Sequence, residues 1–122
     1  MRQQRLESIA TSVVRQTLRQ LPANLREAAQ TCIIELSSMS ECLAVGEADL
    51  DPDLLGLFEG SSHSDEPDPT ALPRVRLFLD NLWDFTEGHL ATFREEVRIT
   101  LLHELGHYIG LDEEQVAALG LE

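Results

Sequence analysis

Phe93-Arg-Glu-Glu-Val-Arg-Ile-Thr-Leu-Leu-His-Glu-Leu-Gly-His-Tyr-Ile-Gly-Leu-Asp-Glu-Glu114 is the stretch on which the reading of this chain turns. Leu90, Phe93, Val97, Leu101, Leu105 and Tyr108 recur at spacings of three and four, which predicts one helix from about His89 to Ile109. His103-Glu104-Leu105-Gly106-His107, an HExxH motif, lies inside it. Residues four apart share a helical face, so both imidazoles can address one ion. At ~100° per residue the two histidines fall off the apolar stripe, beside Glu96 and Thr100. Two neutral imidazoles suit Zn²⁺, and Glu104 is the neighbour that can act as general base toward a water held by that ion. Either histidine alone would read as a surface or core residue, and Glu104 alone as a solvated charge. The pair at this spacing, with the carboxylate between, favours a metal site.

Upstream, Leu6, Ile9, Val13, Leu18 and Leu21 have helical spacing over residues 6–20, and Pro22 separates them from a second helical piece, Ala23 to Gln30. Thr31 to Leu36 contains the run Cys32-Ile33-Ile34-Glu35-Leu36 and reads as a buried strand. Residues 37–53 are mixed and read as irregular with a helical turn. Leu54-Leu-Gly-Leu-Phe-Glu-Gly60 reads as a short strand or turn approaching the site. Residues 60–73 are a loop by composition, a solvated connection or, on the sharper reading, a lid. In Arg74-Val-Arg-Leu-Phe-Leu79, Val75, Leu77 and Leu79 alternate with arginine, the period of a half-buried strand. Asp80 to Gly88 reads as a turn and short helix carrying Trp83. Gly110 suits a left-handed helix stop, and Asp112 can cap a last helix through Leu119.

With 122 residues, 43% of them hydrophobic, the expectation is one domain, 1–122, with a real but modest core. Asp and Glu number 22 against nine basic residues, all arginine, for a net charge of −13. That balance disfavours nucleic acid and anionic membrane as partners. Its plain meaning is solubility, and its sharper one a preference for cationic peptides. Cys32 and Cys42 form no CxxC pair and read as packing residues of a reducing compartment. The N-terminus lacks the apolar core of a signal peptide and no apolar run is long enough to span a bilayer, which together predict a cytoplasmic protein. His63 and His89 read as surface histidines, Thr100 and Glu96 as groups placed to orient the metal ligands.

The segment Phe93–Glu114, with its extended HELGHYIGLDEE stretch, resembles the bacterial minimal zincin family of zinc metallopeptidases. Leu54–Gly60, Arg74–Leu79, the opening helix and the first strand extend the resemblance over nearly the whole chain. It implies an α+β, minimal zincin-like domain: a small few-stranded sheet, an N-terminal helix, a long active-site helix beneath the sheet, and an edge strand beside the cleft. By that analogy the edge strand is Arg74–Leu79. It implies His103 and His107 as zinc ligands and Glu104 as the catalytic base. In zincins with the longer motif the third ligand lies three residues beyond the glycine, which here is Glu113 in place of an aspartate. A one-residue shift of the turn would present Asp112 instead, and a site lacking a third protein ligand stays open. No methionine follows Met39, so the Met-turn of metzincins is absent.

Two functions remain. The first is a zinc-dependent metallopeptidase hydrolysing peptide bonds of a peptide or protein substrate. The second is a catalytically silent zinc-binding domain with a structural or partner-binding role, motivated by the small size of the chain.

Overall fold

The structure is a computed structural model that describes residues 3–61 and 72–118. Their elements are α1 (Gln3–Gln20), α2 (Ala23–Ala29), β1 (Ile33–Ser37), α3 (Met39–Ala44), β2 (Gly56–Glu59), β3 (Arg74–Phe78), α4 (Leu79–Phe85), α5 (Leu90–Ile109) and α6 (Glu113–Ala117). This is the expected α+β arrangement, a small sheet with an N-terminal helix and one long helix. The mixed stretch after residue 37 holds a short helix, α3, which Ser38 caps by accepting from the Glu41 N–H. The C-terminal helix ends at Ala117; Leu119 lies outside the described residues. Most of the acidic 60–73 loop, including His63, also lies outside them.

The sheet order is β1-β3-β2, with β1 parallel and β2 antiparallel to β3. This corrects the expectation that Arg74–Leu79 forms an edge. Ile34 pairs with Val75 on one side of the strand and Phe58 pairs with Val75 on the other, so Arg74–Phe78 is central, and Leu79 already opens α4. The edge strand that packs on α5 is β2. The alternation of β3 misleads because its arginine face is covered as well. Arg76 is only 3% exposed. Its guanidinium donates to both oxygens of Glu47 at 3.0 Å and to the Cys42 Sγ at 2.9 Å, and stands 5.3 Å over the Phe78 ring. Arg74 bridges Glu35 and Glu59, each at 2.9 Å. The paired guanidinium is what makes burial of this charge tolerable.

The opposite face of the sheet carries the core. Val75 and Leu77 of β3 meet Phe93, Val97, Leu101 and Leu105 of α5, with Leu6, Ala10 and Val13 of α1 and Leu79 and Leu82 of α4 closing the layer. Removing one of the larger of these side chains, as in Leu101→Ala, costs about 2–5 kcal/mol by the usual cavity effect.

Asp80 ties the two layers at one corner. Its carboxylate accepts from the backbone N–H groups of Met39 (2.8 Å), Ser40 (3.0 Å) and Asn81 (3.0 Å), and from the Ser38 hydroxyl at 3.3 Å. Burial pushes this carboxyl upward, but the donors outweigh burial and hold it below its usual range. Next to it, the Asn81 amide donates to the carbonyls of Pro52 (2.7 Å) and Leu54 (2.8 Å), which fixes the approach of β2. A folded pKa lowered below the unfolded one adds stability above the unfolded pKa, and that stability is lost as pH falls through the folded value. Asp80→Asn should therefore destabilise the chain by about 1–2 kcal/mol near neutral pH. It should also flatten the part of the acid unfolding limb that Asp80 contributes, as followed by urea titrations from pH 7 downward.

Candidate metal centre

α5 is buried over a wide face: Phe93, Val97, Thr100, Leu101, Leu102, Leu105, Gly106 and Tyr108 are all inaccessible. The stripe is thus broader than its helical spacing predicts, while Leu90 at its start is 43% exposed. What remains outside near the C-terminal end is a narrow strip holding His103 and His107, both exposed. Their ring centroids are 4.8 Å apart, with planes inclined at 57°. Glu104 lies at the edge of the strip, its side chain only 12% exposed, with Oε1 3.8 Å from His107 Nδ1. Helical spacing thus brings the three expected residues together. Thr100, one turn before His103, is buried, its Cγ2 and the Glu104 Cγ both facing Gly56 of β2, and Glu96 is half-buried.

The end of the motif is tied down from three sides. The Tyr108 hydroxyl is 2.5 Å from the Thr31 hydroxyl, and its ring lies 5.6 Å from that of Phe58 on β2. Gly110 takes φ 85°, and the N–H groups of Gly110 and Leu111 both reach the Gly106 carbonyl, a left-handed stop that an L side chain would strain. The chain then turns back, and Val116 of α6 packs so closely on Gly106 that a Cβ there would lie 2.7 Å from Val116 Cγ2. Gly106, between the two histidines, is therefore the seat of α6.

Asp112 has another task. Its Oδ1 accepts from the Gln115 N–H at 2.8 Å, and the Gln115 side chain accepts from the Asp112 N–H at 2.9 Å, a reciprocal cap on α6. Glu113 follows as the first residue of α6, and its side chain lies outside what the structure describes. Among the described residues no three of His, Cys, Asp and Glu gather into a metal-holding group. As a donor set, two imidazoles on one rigid helix face with a carboxylate alongside fit Zn²⁺.

Among the described residues neither cysteine gathers with other metal-holding side chains. Burial pushes the Cys32 thiol up to about 11. Burial and a hydrogen bond with Glu47 also push the Cys42 thiol up, against the opposing pull of Arg76. Both are free thiols rather than thiolates. Cys42 is more than packing, since it accepts from the Arg76 guanidinium. His89 sits at the N-terminus of α5, exposed.

Gly56 of β2 lies against Glu104 of this site. The Phe78 N–H donates to the Leu55 carbonyl at 2.9 Å. Antiparallel alternation then turns the backbone groups of Leu57 and Glu59 toward β3 and those of Gly56 and Phe58 toward the other edge, left open among the described residues. The sequence gives one sign of this, the glycine that punctuates the apolar run Leu54–Phe58.

A protein-family model described as zincin-like metallopeptidase matches residues 30–121, which contain the sheet, α5 and α6. No curated protein matches the chain. No described helix is long and apolar enough to cross a membrane. Because the Asp112 carboxylate is committed to the α6 cap, Asp112→Ala should lower stability by about 1 kcal/mol. The same variant should leave metal affinity at the wild-type value, with urea unfolding and metal titration read side by side.

Proposed function

The chain belongs to the zincin-like metallopeptidase family, and from that premise we propose that it is a zinc-dependent peptidase acting on extended segments of peptide or protein. The observation that carries this is the exposed imidazole pair at 4.8 Å with the Glu104 carboxylate beside it and Gly56 of β2 packed against Glu104. His103, His107 and Glu113 would hold the ion, Glu113 because Asp112 is occupied as a cap. When bound, Zn²⁺ lowers the pKa of a coordinated water and polarises the scissile carbonyl. Glu104 takes the proton from the attacking water and delivers it to the leaving amine. Its partial burial keeps that carboxylate near one position rather than free in solvent. The outward N–H and C=O groups of Gly56 and Phe58 can pair with an extended substrate, which supplies alignment without demanding a particular sequence. With a net charge of −13, long-range attraction favours cationic segments over nucleic acid or anionic lipid.

A second reading, a zinc-binding domain without hydrolysis, draws on the small size of the chain, 122 residues. One experiment separates the two. Calorimetry on chelator-stripped protein should show one-to-one zinc binding that His103→Ala abolishes and Glu113→Ala weakens. On unstructured fluorogenic peptides, Glu104→Gln should keep its zinc but lose about 10²–10⁴-fold in cleavage rate. Full activity in Glu104→Gln would end the peptidase mechanism. Tight zinc binding with no cleavage by the wild type would leave the silent module.

A further inference from the structure

Gly56 has no conformational reason to be glycine. It lies within β2, and its backbone is not among those with positive φ. In a strand interior glycine weakens the element relative to alanine. The reason is space. A Cβ at residue 56 would stand 2.6 Å from Thr100 Cγ2, 3.2 Å from Glu104 Cγ and 3.4 Å from the Arg76 carbonyl oxygen. The first distance is a clash, and the second forces the Glu104 side chain to give way.

We propose that Gly56 is a positioning residue: by bringing bare backbone against α5, it fixes the Glu104 carboxylate relative to the open edge of β2. The proposal rests on the peptidase reading and deepens it. The same residue both turns its backbone groups to the open edge and limits where Glu104 can lie. Strand and base are thereby held in one contact, and a substrate aligned on the strand meets the base at a set distance. The neighbouring anchors support this. Phe58 packs on Tyr108, and Asn81 holds the carbonyls of Pro52 and Leu54, so β2 has little freedom to back away from an added methyl.

The two contacts at Gly56 can be separated. Thr100→Ser keeps the hydroxyl and removes Cγ2, the atom nearest to a Cβ at residue 56. Gly56→Ala should lower the Tm of the metal-free chain, and Gly56→Ala/Thr100→Ser should regain the Tm of Thr100→Ser, while the contact with Glu104 Cγ remains. Relative to Thr100→Ser, the double variant should keep its zinc affinity and KM but lose roughly ten- to a hundredfold in kcat, the scale of a displaced reacting group. A double variant with both the Tm and the kcat of Thr100→Ser would overturn the proposal. A second readout is independent of activity. The wild-type chain should show a nuclear Overhauser contact between Gly56 Hα and Glu104 Hγ, and its absence would also overturn the proposal. If that contact is present but the wild type cleaves nothing, the positioning holds and it is the peptidase reading that fails.

Discussion

Everything in this molecule hangs on the burial of α5. Phe93, Val97, Leu101 and Leu105 are each fully inaccessible, and each contributes on the order of 1.5–3 kcal/mol of hydrophobic stabilisation. Together they rival the whole net stability of an ordinary domain, which is about 5–15 kcal/mol. α1, α4 and the sheet all use this one helix as their common wall. Near its C-terminal end this widely covered helix leaves a narrow strip exposed, and His103 and His107 lie on it. The core thus fixes the helix, and the helix fixes the imidazoles.

The polar face of the sheet works differently. Arg76 is almost entirely buried, and its Nε has no hydrogen-bond partner. Its other nitrogens are met by Glu47, Cys42 and Glu59. Hydrogen bonding by the guanidinium holds the Glu47 carboxyl below its usual range. A buried guanidinium contributes little net stability even when well paired, but leaving it unpaired is costly. That asymmetry explains why the segment after α3 lies across the sheet rather than hanging free. It also explains how β3 becomes a central strand while carrying two arginines.

Much of this could be read in the sequence, where a single local signal sufficed. The period of α5, the punctuation at Pro22, the stop at Gly110 and the cap at Asp112 are decided by neighbouring residues, and each appears in the structure. Pairing was not legible in the same way. The family resemblance puts Arg74–Leu79 at an edge and its alternating arginines imply a wet face, whereas the groups that cover Arg76, Glu47 and Cys42, come from about 30 residues earlier in the chain. Thr100 shares a helical face with the histidines, but that β2 buries it was not legible from spacing alone. The gap at Gly56 was invisible for the same reason: it is a relation between two elements, not a property of either. Glu113 remains an expectation from motif spacing.

The order of the sheet has a kinetic consequence. β1 pairs with β3 in parallel, Ile33 opposite Arg74, so the central ladder closes a long stretch of chain that includes α3 and β2. Loop closure of that kind must precede the contacts that reward it, whereas α1 and α5 can begin from local interactions. Helices should therefore lead in the folding reaction, and the ladder should follow. β2 reaches α5 only once β3 is in place beside it, so its seat against Thr100 and Glu104 belongs to the late, native side of the barrier. Loosening that seat should hasten unfolding while leaving the refolding rate nearly untouched. The contact between β2 and Glu104 would then be the last part of the molecule to assemble and the first to open.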